Sequence, residues 1–441
     1  MTPAPLGWLG IVRLGLVQSA IGAIVMLATS LLNRVMVVEY GLPASLPAGL
    51  VAWHYAVQLS RPVWGYGSDR GRRRTPWIIF GMGTLALGAL LAIDAVSLLA
   101  ARSPWGYLLA IIAFSMIGAG VGAAGTSLLA LLATRVAPER RAAAASITWV
   151  MMISGIVVTA GVAGSLIDPF SLQRLAVVAS GVAGVAFVIS MLAVWGMEGA
   201  TQSTPAASLP AEPAPAFGTA LREMWADDEA RRFTIFVFLS MLAYSMQDLI
   251  LEPFAGLLFG FTPGQSTQLS GMQHGGVLAG MILVGVGGSA FGGRSSSGMR
   301  RWIVGGCIGS ALALAGLALA ARVGPGWPLA ANIAVLGFAN GVFAVAAIGA
   351  MMGLAGAGGG GREGIRLGIW GAAQAIAFGL GGLIGAVGVD AGRAITGSTP
   401  QTFTVVFGVE ALLFLVAATL ALRAPANAAQ SVAGIMDAKP T

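Results

Sequence analysis

Residues 65–100 read GYGSDRGRRRTPWIIFGMGTLALGALLAIDAVSLLA, a basic loop followed by a long apolar run. The run from 76 to 100 contains one charged residue, Asp94, and is long enough for a helix to cross about 30 Å of bilayer hydrocarbon. This alternation continues along the 441-residue chain, which is 57% hydrophobic and only 9% charged. A soluble chain of this length would need a more polar surface, so we predict an all-α polytopic membrane protein.

Twelve apolar runs are predicted to be transmembrane helices. They cover residues 9–37, 45–66, 76–100, 105–134, 142–167, 172–197, 232–259, 268–291, 302–321, 327–355, 367–389 and 402–422. The longest interruption, GATQSTPAASLPAEPAPAFGTALREMWADDEA, begins with a Pro-, Ala- and Ser-rich segment that is typical of a flexible linker. The predicted organisation is therefore a six-helix N-terminal half (1–197), a cytoplasmic linker (198–231), a six-helix C-terminal half (232–422) and a cytoplasmic tail (423–441).

The distribution of basic residues predicts the orientation of these helices. Of the 24 Lys and Arg residues, 17 lie in the breaks after even-numbered runs and in the C-terminal tail, against four in the odd-numbered breaks. By the positive-inside rule, we expect both termini in the cytoplasm. The sequence pI of 10.4 follows from this topology, and no basic patch interleaved with aromatic residues indicates nucleic-acid binding.

The two halves also match each other. The chain has two histidines, His54 and His274, which lie 220 residues apart in the second predicted helix of each half. Each precedes an Arg-containing loop and a tryptophan, Trp77 or Trp302, that opens the next helix. Parallel six-helix repeats related by an axis along the membrane normal are the plan of major facilitator transporters. The repeat therefore predicts the major facilitator fold.

The loop after the second predicted helix adds a motif to this prediction. Gly65, Asp69, Arg70 and Arg73 resemble the facilitator signature of a glycine, an aspartate four residues on, and paired basic residues. The match is imperfect, because the second glycine of the signature comes one place early, at Gly71. The motif favours a loop in which the aspartate bonds a helix terminus or an arginine, and the alternative is a plain positive-inside loop.

Four segments carry a closer resemblance. They are IVRLGLVQ (11–18), LNRVMVVE (32–39), QDLILEPF (247–254) and STQLSGMQHGG (266–276). Together they resemble the PucC family, also called the bacteriochlorophyll delivery family, of purple phototrophic bacteria. The compact loop at 68–77 is similar to the subgroup labelled as a chain of bacteriochlorophyll synthase.

This resemblance implies a protein of the bacterial inner (intracytoplasmic) membrane that binds bacteriochlorophyll, or a late precursor, and delivers it during pigment synthesis and antenna assembly. The implied partners are the pigment, bacteriochlorophyll synthase, light-harvesting and reaction-centre polypeptides, and membrane lipid. Pigment would be bound cargo and not an intrinsic cofactor. Because the chain has no paired Asp-rich clusters, zinc spacing or nucleotide loop, we expect an accessory chain without catalytic chemistry.

Two other functions are compatible with the sequence. One is a secondary transporter of a small solute, proton-coupled through Asp248 or Glu252. The other is a scaffold that holds the synthase beside antenna subunits and binds no pigment.

Four charged residues are predicted to form an intramembrane charge network, because ionisable groups inside a bilayer are costly. Arg34 and Glu39 close the first predicted helix, and Asp248 and Glu252 lie four residues apart on one face of the seventh. The two helices are repeat equivalents, so Arg34 is placed to pair with Asp248 or Glu252 as a periplasmic-side gate. In the alternative, Arg34, Glu39 and Glu252 extend to the outer interface.

The histidines are candidates for pigment binding. Neutral imidazole is a common axial ligand for metals, so His54 or His274 could bind the magnesium of a chlorin ring, although no metal is expected to bind the protein directly. The alternative is a histidine hydrogen-bonded to a neighbouring helix.

Overall fold

The computed structural model describes most of the chain. The described residues are 6–61, 64, 73–137, 140–198, 222, 225–226, 228–290, 296–357 and 363–423. Throughout these residues the secondary structure is helical, without a strand. The prediction of an all-α protein is therefore confirmed.

Twelve helices follow one another along the described residues. They are α1 (Trp8–Glu39), α2 (Ser45–Val57, extended by a 3₁₀ turn over Gln58–Ser60), α3 (Thr75–Ala100), α4 (Trp105–Arg135), α5 (Arg141–Leu166), α6 (Leu172–Val194), α7 (Asp228–Asp248 and Leu251–Phe259), α8 (Pro263–Ala290), α9 (Ser296–Val323), α10 (Leu329–Ala357), α11 (Glu363–Thr396) and α12 (Thr399–Arg423). Eleven of them are long and apolar enough to cross a membrane, and the exception is α2, which has a shorter described part. The chain is thus a multi-pass membrane protein.

Local chemistry sets several helix ends. Ser171 precedes α6 in an extended conformation, and its hydroxyl accepts the backbone N–H of Arg174 at 3.0 Å. Gly260 ends α7 with a φ of 67°, a left-handed conformation that glycine adopts without steric cost. Gly397 does the same between α11 and α12, with a φ of 63°.

The chain forms two compact units. Unit 1 contains residues 1–210, 248–274 and 389–391, so it combines α1–α6 with the second segment of α7, the start of α8 and one turn of α11. Unit 2 contains the remaining residues. The predicted division of the sequence into two six-helix halves joined by a linker stays a prediction.

Unit 2 has an aromatic core. Trp370 is fully buried and its indole N–H donates to the hydroxyl of Thr234 at 2.9 Å. Phe343 packs edge-on against Phe414, with ring centroids 5.4 Å apart. Such buried aromatic pairs fix the helices that carry them, here α10 and α12.

In unit 1, α3 and α4 cross at small residues. A β-carbon at Gly81 would lie 2.5 Å from the backbone nitrogen of Ala124, and one at Gly120 would lie 2.6 Å from that of Leu85. Because these neighbours are backbone atoms, they cannot move aside cheaply. The glycines therefore allow a close helix contact, as small residues commonly do in membrane bundles.

We expect Gly120→Ala to lower the free energy of unfolding by about 1–3 kcal/mol, the usual cost of overpacking. Gly125→Ala is the matched control in the same helix, because a β-carbon there meets nothing within 4 Å. The control should be neutral or stabilising, since alanine favours helix over glycine. Thermal unfolding of the purified variants tests the pair, and equal midpoints would contradict the close α3–α4 contact.

Candidate functional site

The site is built in unit 1 around an interruption of α7. The helix stops at Asp248 and resumes at Leu251. Pro253 lacks the N–H that would bond the carbonyl of Leu249 four residues earlier. The side-chain amide of Asn33, from α1, donates to that carbonyl instead, at 2.7 Å. The Asn–Arg block of α1 therefore meets the Gln–Asp block of α7 through a hydrogen bond that replaces a missing helical one.

Arg34 follows Asn33 and is the centre of a buried polar cluster, with only 1% of its surface exposed. Its Nε donates to the hydroxyl of Ser266 at 3.0 Å, and its Nη2 donates to the carbonyl of Phe261 at 2.6 Å. Its Nη1 forms a hydrogen-bonded ion pair with Glu39. Arg34 thus joins the end of α1 to the α7–α8 connection.

The observed ion pair differs from the predicted one. Arg34 is paired with Glu39 on its own helix, and not directly with Asp248 or Glu252. In a regular α-helix, residues five apart point about 140° away from each other. Residues 35–39 form a π-helical turn, whose wider spacing brings Glu39 back towards the side of Arg34. This local geometry explains why the pair closes within α1.

The two acidic residues of α7 have other partners. Glu252 is buried, and its Oε1 accepts a hydrogen bond from the hydroxyl of Ser30 in α1. Ser30 also lies 3.2 Å from the hydroxyl of Ser270 in α8. Asp248 accepts the side-chain amide of Gln273 at 3.3 Å. Helices α1, α7 and α8 are therefore connected through polar side chains inside the unit.

At one end of unit 1, two aspartates accept hydrogen bonds from helix N-termini. Asp168, just after α5, accepts the backbone N–H of Gly264 at 3.1 Å and the hydroxyl of Thr262, at the start of α8. Asp390, in α11, accepts the backbone N–H groups of Ala44 at 3.0 Å and Ser45 at 2.7 Å, at the start of α2. Carboxylates favour helix N-termini, where unpaired N–H groups meet the positive end of the dipole.

These two contacts repeat with the period of the sequence. Asp168 and Asp390 lie 222 residues apart, and their partners Ala44 and Gly264 lie 220 apart. We call them the paired aspartate caps. Sequence analysis missed both residues because each contact joins distant segments. The 222-residue spacing, close to that of the two histidines, was the signal that could have found them.

A cavity of about 610 Å³ adjoins the cluster. It is lined by Arg34, Glu39, Asp168, Phe170, Phe261 and Thr262, among others. This space is an open groove beside the cluster and not an enclosed pocket.

The two histidines have different surroundings. His54 is 2% exposed, and its Nε2 lies 2.8 Å from the amide nitrogen of Gln58. Arg61 donates to the amide oxygen of Gln58, so the amide N–H of Gln58 points at His54. The Nε2 of His54 is therefore occupied as an acceptor, and its Nδ1 is buried without a partner among the described residues.

His274 is half-buried in α8. Its Nδ1 lies 2.9 Å from the carbonyl of Ser270, and since only an N–H can bond a carbonyl, Nδ1 carries the proton. The Nε2 lone pair is then the acceptor that a metal would use. A carbonyl bonded to the other ring nitrogen is the usual support of a metal-bound histidine.

The basic loop motif lies largely outside the described residues, which include neither Gly65 nor Asp69 nor Arg70. Arg73 is exposed. Among the described residues, Glu198 accepts hydrogen bonds from the start of α3, and sequence analysis did not single out this residue. Its carboxylate accepts the backbone N–H of Arg74 at 2.9 Å and that of Thr75 at 2.8 Å.

The profile of a family described as PUCC protein matches residues 31–428. The chain belongs to this family. Two similar proteins have informative names. Bacteriochlorophyll synthase 44.5 kDa chain of Rhodobacter capsulatus is 53% identical over 416 residues, covering 94% of this chain and 95% of the relative. Protein PucC of Cereibacter sphaeroides is 33% identical over 387 residues, covering 84% and 81%.

Solved structures show the fold of this family member. The peptide transporter POT in complex with sulfate aligns with a TM-score of 0.68 at 14% identity, covering 95% of each chain. A bacterial homolog of the human lysosomal transporter Spinster aligns with a TM-score of 0.66 at 13% identity, covering 96% and 97%. At such identities the likeness concerns the fold alone. The predicted major facilitator fold and the resemblance to the PucC family are both confirmed.

Proposed function

We propose that this family member binds bacteriochlorophyll, or a late precursor, within the membrane and delivers it during pigment synthesis and assembly of light-harvesting and reaction-centre complexes. The observation that carries the proposal is 53% identity, over nearly the full length of both chains, to a protein named as a bacteriochlorophyll synthase chain. Similarity to proteins named PucC extends the link to a wider group. The membrane is the bacterial inner membrane, with both termini in the cytoplasm.

The role beside the synthase is that of an accessory chain. The fold is that of transporters, in which helices surround a cargo and do no bond chemistry on it. Within the described residues, His, Cys, Asp and Glu side chains do not gather in groups of three that could hold a metal ion. Bacteriochlorophyll synthase would make the pigment, and this chain would receive it.

His274 is the better candidate for the pigment ligand. Its tautomer leaves Nε2 available to the magnesium of a chlorin ring, whereas Gln58 occupies the equivalent atom of His54. The apolar outer surfaces of the helices would contact the ring and its isoprenoid tail. The backbone at His54 packs closely on α4, where a β-carbon at Gly118 would lie 2.6 Å from the backbone carbonyl oxygen of His54.

Absorption spectra of protein purified gently from pigment-making cells test this proposal. We expect about one bacteriochlorophyll per wild-type chain. His274→Ala should weaken binding about tenfold or more, which corresponds to roughly 1.4 kcal/mol or more. His54→Ala is the matched control and should retain its pigment.

Three outcomes can be separated if all samples elute as folded protein. Pigment lost only from His274→Ala supports both the function and the ligand. Pigment retained in every sample supports pigment binding by the protein and rejects His274 as the ligand. A wild-type protein without pigment rejects pigment binding and favours the scaffold or solute-transporter function.

A further inference from the structure

The outward face of α3 carries one carboxylate. Phe80 and Leu87 are each 56% exposed, and Asp94 is exposed as well. Residues seven apart in an α-helix differ by only about 20° in direction, so these three side chains form one row. The less exposed Thr84 and Leu91 complete the row, at spacings of four and three residues. We call these five residues the α3 stripe.

Asp94 lies inside the membrane-spanning part of α3. The span covers Thr75–Ala100, and Asp94 precedes its end by about 9 Å along the helix axis. Helix α4 begins beside that end, because a β-carbon at Gly106 would lie 2.8 Å from the backbone nitrogen of Leu99. Trp105, the first residue of α4, is 66% exposed, which is typical of the membrane interface. The short side chain of Asp94 cannot extend that far, as a lysine or arginine would.

Within the described part of the chain, the carboxylate of Asp94 has neither an ion pair nor a hydrogen bond. The ion pair found there lies within α1. The hydroxyl of Ser97 donates to the backbone carbonyl of Asp94, at 2.9 Å, and not to its carboxylate. Arg174, on the neighbouring helix α6, donates to the backbone carbonyl of Asp168. A charged side chain that faces hydrocarbon is costly, so Asp94 indicates a partner outside the chain.

We propose that the α3 stripe binds a membrane-spanning helix of another protein, and that this helix carries a lysine or arginine at the depth of Asp94. Lipid tails would cover Phe80 and Leu87 but would leave the carboxylate without a cation. A basic side chain would give Asp94 a charge-assisted hydrogen bond away from water. The alternating four- and three-residue spacing suits packing along one partner helix. A two-fold dimer through this stripe would instead place Asp94 against Asp94, so a second copy of the chain fits poorly.

A synthetic membrane peptide tests the site on the pigment-free full-length protein in phosphatidylcholine bicelles. The probe is a helix of about 22 leucine and alanine residues, with one lysine about 9 Å from its end and a dansyl group. Energy transfer from the protein's tryptophans to dansyl reports binding. We expect transfer that saturates at one peptide per chain. Asp94→Asn should require about tenfold more peptide, and a peptide with leucine in place of lysine should not saturate.

Two variants are matched controls for the packing part of the site. Leu87→Ala, on the α3 stripe, should weaken binding of the lysine peptide. Leu312→Ala should leave it unchanged, because Leu312 is 68% exposed on α9, away from the stripe. Without peptide, Asp94→Asn should unfold at the same temperature as the wild type or higher, since the carboxylate bonds nothing in the described part of the chain.

Three results would overturn the proposal. The first is equal titration by the lysine and leucine peptides, or by the wild type and Asp94→Asn. The second is a lower unfolding temperature for Asp94→Asn without peptide, because the carboxylate would then stabilise its own chain. The third is energy transfer between differently labelled copies of the protein that disappears in Asp94→Asn, because the stripe would then bind a second copy. Since no pigment is present, the result is independent of the proposed delivery function.

Discussion

Replacing Arg34 with methionine is expected to destabilise unit 1 by about 2–4 kcal/mol, because the buried acceptors that Arg34 bonds at Ser266 and Phe261 lose their donor. The change leaves Glu39 without its cation and removes the donors to Ser266 and to the carbonyl of Phe261. Arg34→Lys should recover only part of this loss. An ammonium group on a flexible stem cannot reproduce three bonds made in the plane of a guanidinium.

The measurement is the thermal unfolding midpoint and the yield of folded protein in detergent. Arg322→Met is the matched control, because Arg322 is exposed at the end of α9. Its replacement should change stability by no more than about 0.5 kcal/mol, as expected for a surface site. If Arg34→Met and Arg322→Met unfold at the same temperature, Arg34 does not organise the cluster.

Loss of the paired aspartate caps is expected to have the second largest effect. Asp168→Ala and Asp390→Ala each remove two hydrogen bonds to a helix N-terminus. Since both contacts are part-buried, each variant should lose about 1–2 kcal/mol, near the range measured for N-cap replacements. The repeat relationship predicts that the two losses are similar, and that they add in the double variant because the sites share no partner.

A labelling experiment reports what the caps hold in place. The chain has a single cysteine, Cys307, which is buried and can be replaced by alanine to give a thiol-free background. A cysteine is then introduced at Val35, a fully buried position of α1. In this cysteine background, the Asp168→Ala, Asp390→Ala double variant should react with a polar maleimide at least about tenfold faster than the protein with both aspartates. A loss of about 1.4 kcal/mol shifts the equilibrium between the closed helix end and its opened form about tenfold. Asp168→Asn and Asp390→Asn, which keep an accepting oxygen, should show a smaller change. Unchanged labelling would mean that the caps do not hold this end closed.

The sequence predicted the general fold because its signals are local. Each apolar run has the length of a membrane helix, and the histidine spacing pointed to two equivalent halves. The break in α7 was not predicted, although Pro253 marks it. A proline at that position removes the bond to the carbonyl of Leu249, but only the structure shows Asn33 supplying the replacement.

The site was predicted only in part. The blocks that contain Arg34 and Asp248 were expected to meet, and they meet through Asn33 and Leu249. The partner of Arg34 could not be found from a regular helical period, because residues 35–39 form a π-helical turn. The histidines looked equivalent in sequence, although Gln58, four residues after His54, was a local signal that the Nε2 of His54 could be occupied.

Titration of pigment-free protein with purified bacteriochlorophyll in detergent tests pigment binding most directly. The 11 tryptophans provide the signal, because bound pigment should quench their fluorescence. We expect quenching that saturates at about one pigment per chain, with His274→Ala requiring about tenfold more pigment to reach the same level. Quenching that rises linearly without saturation, and equally in wild type and variant, would show that the pigment only partitions into micelles and would contradict the proposed delivery function.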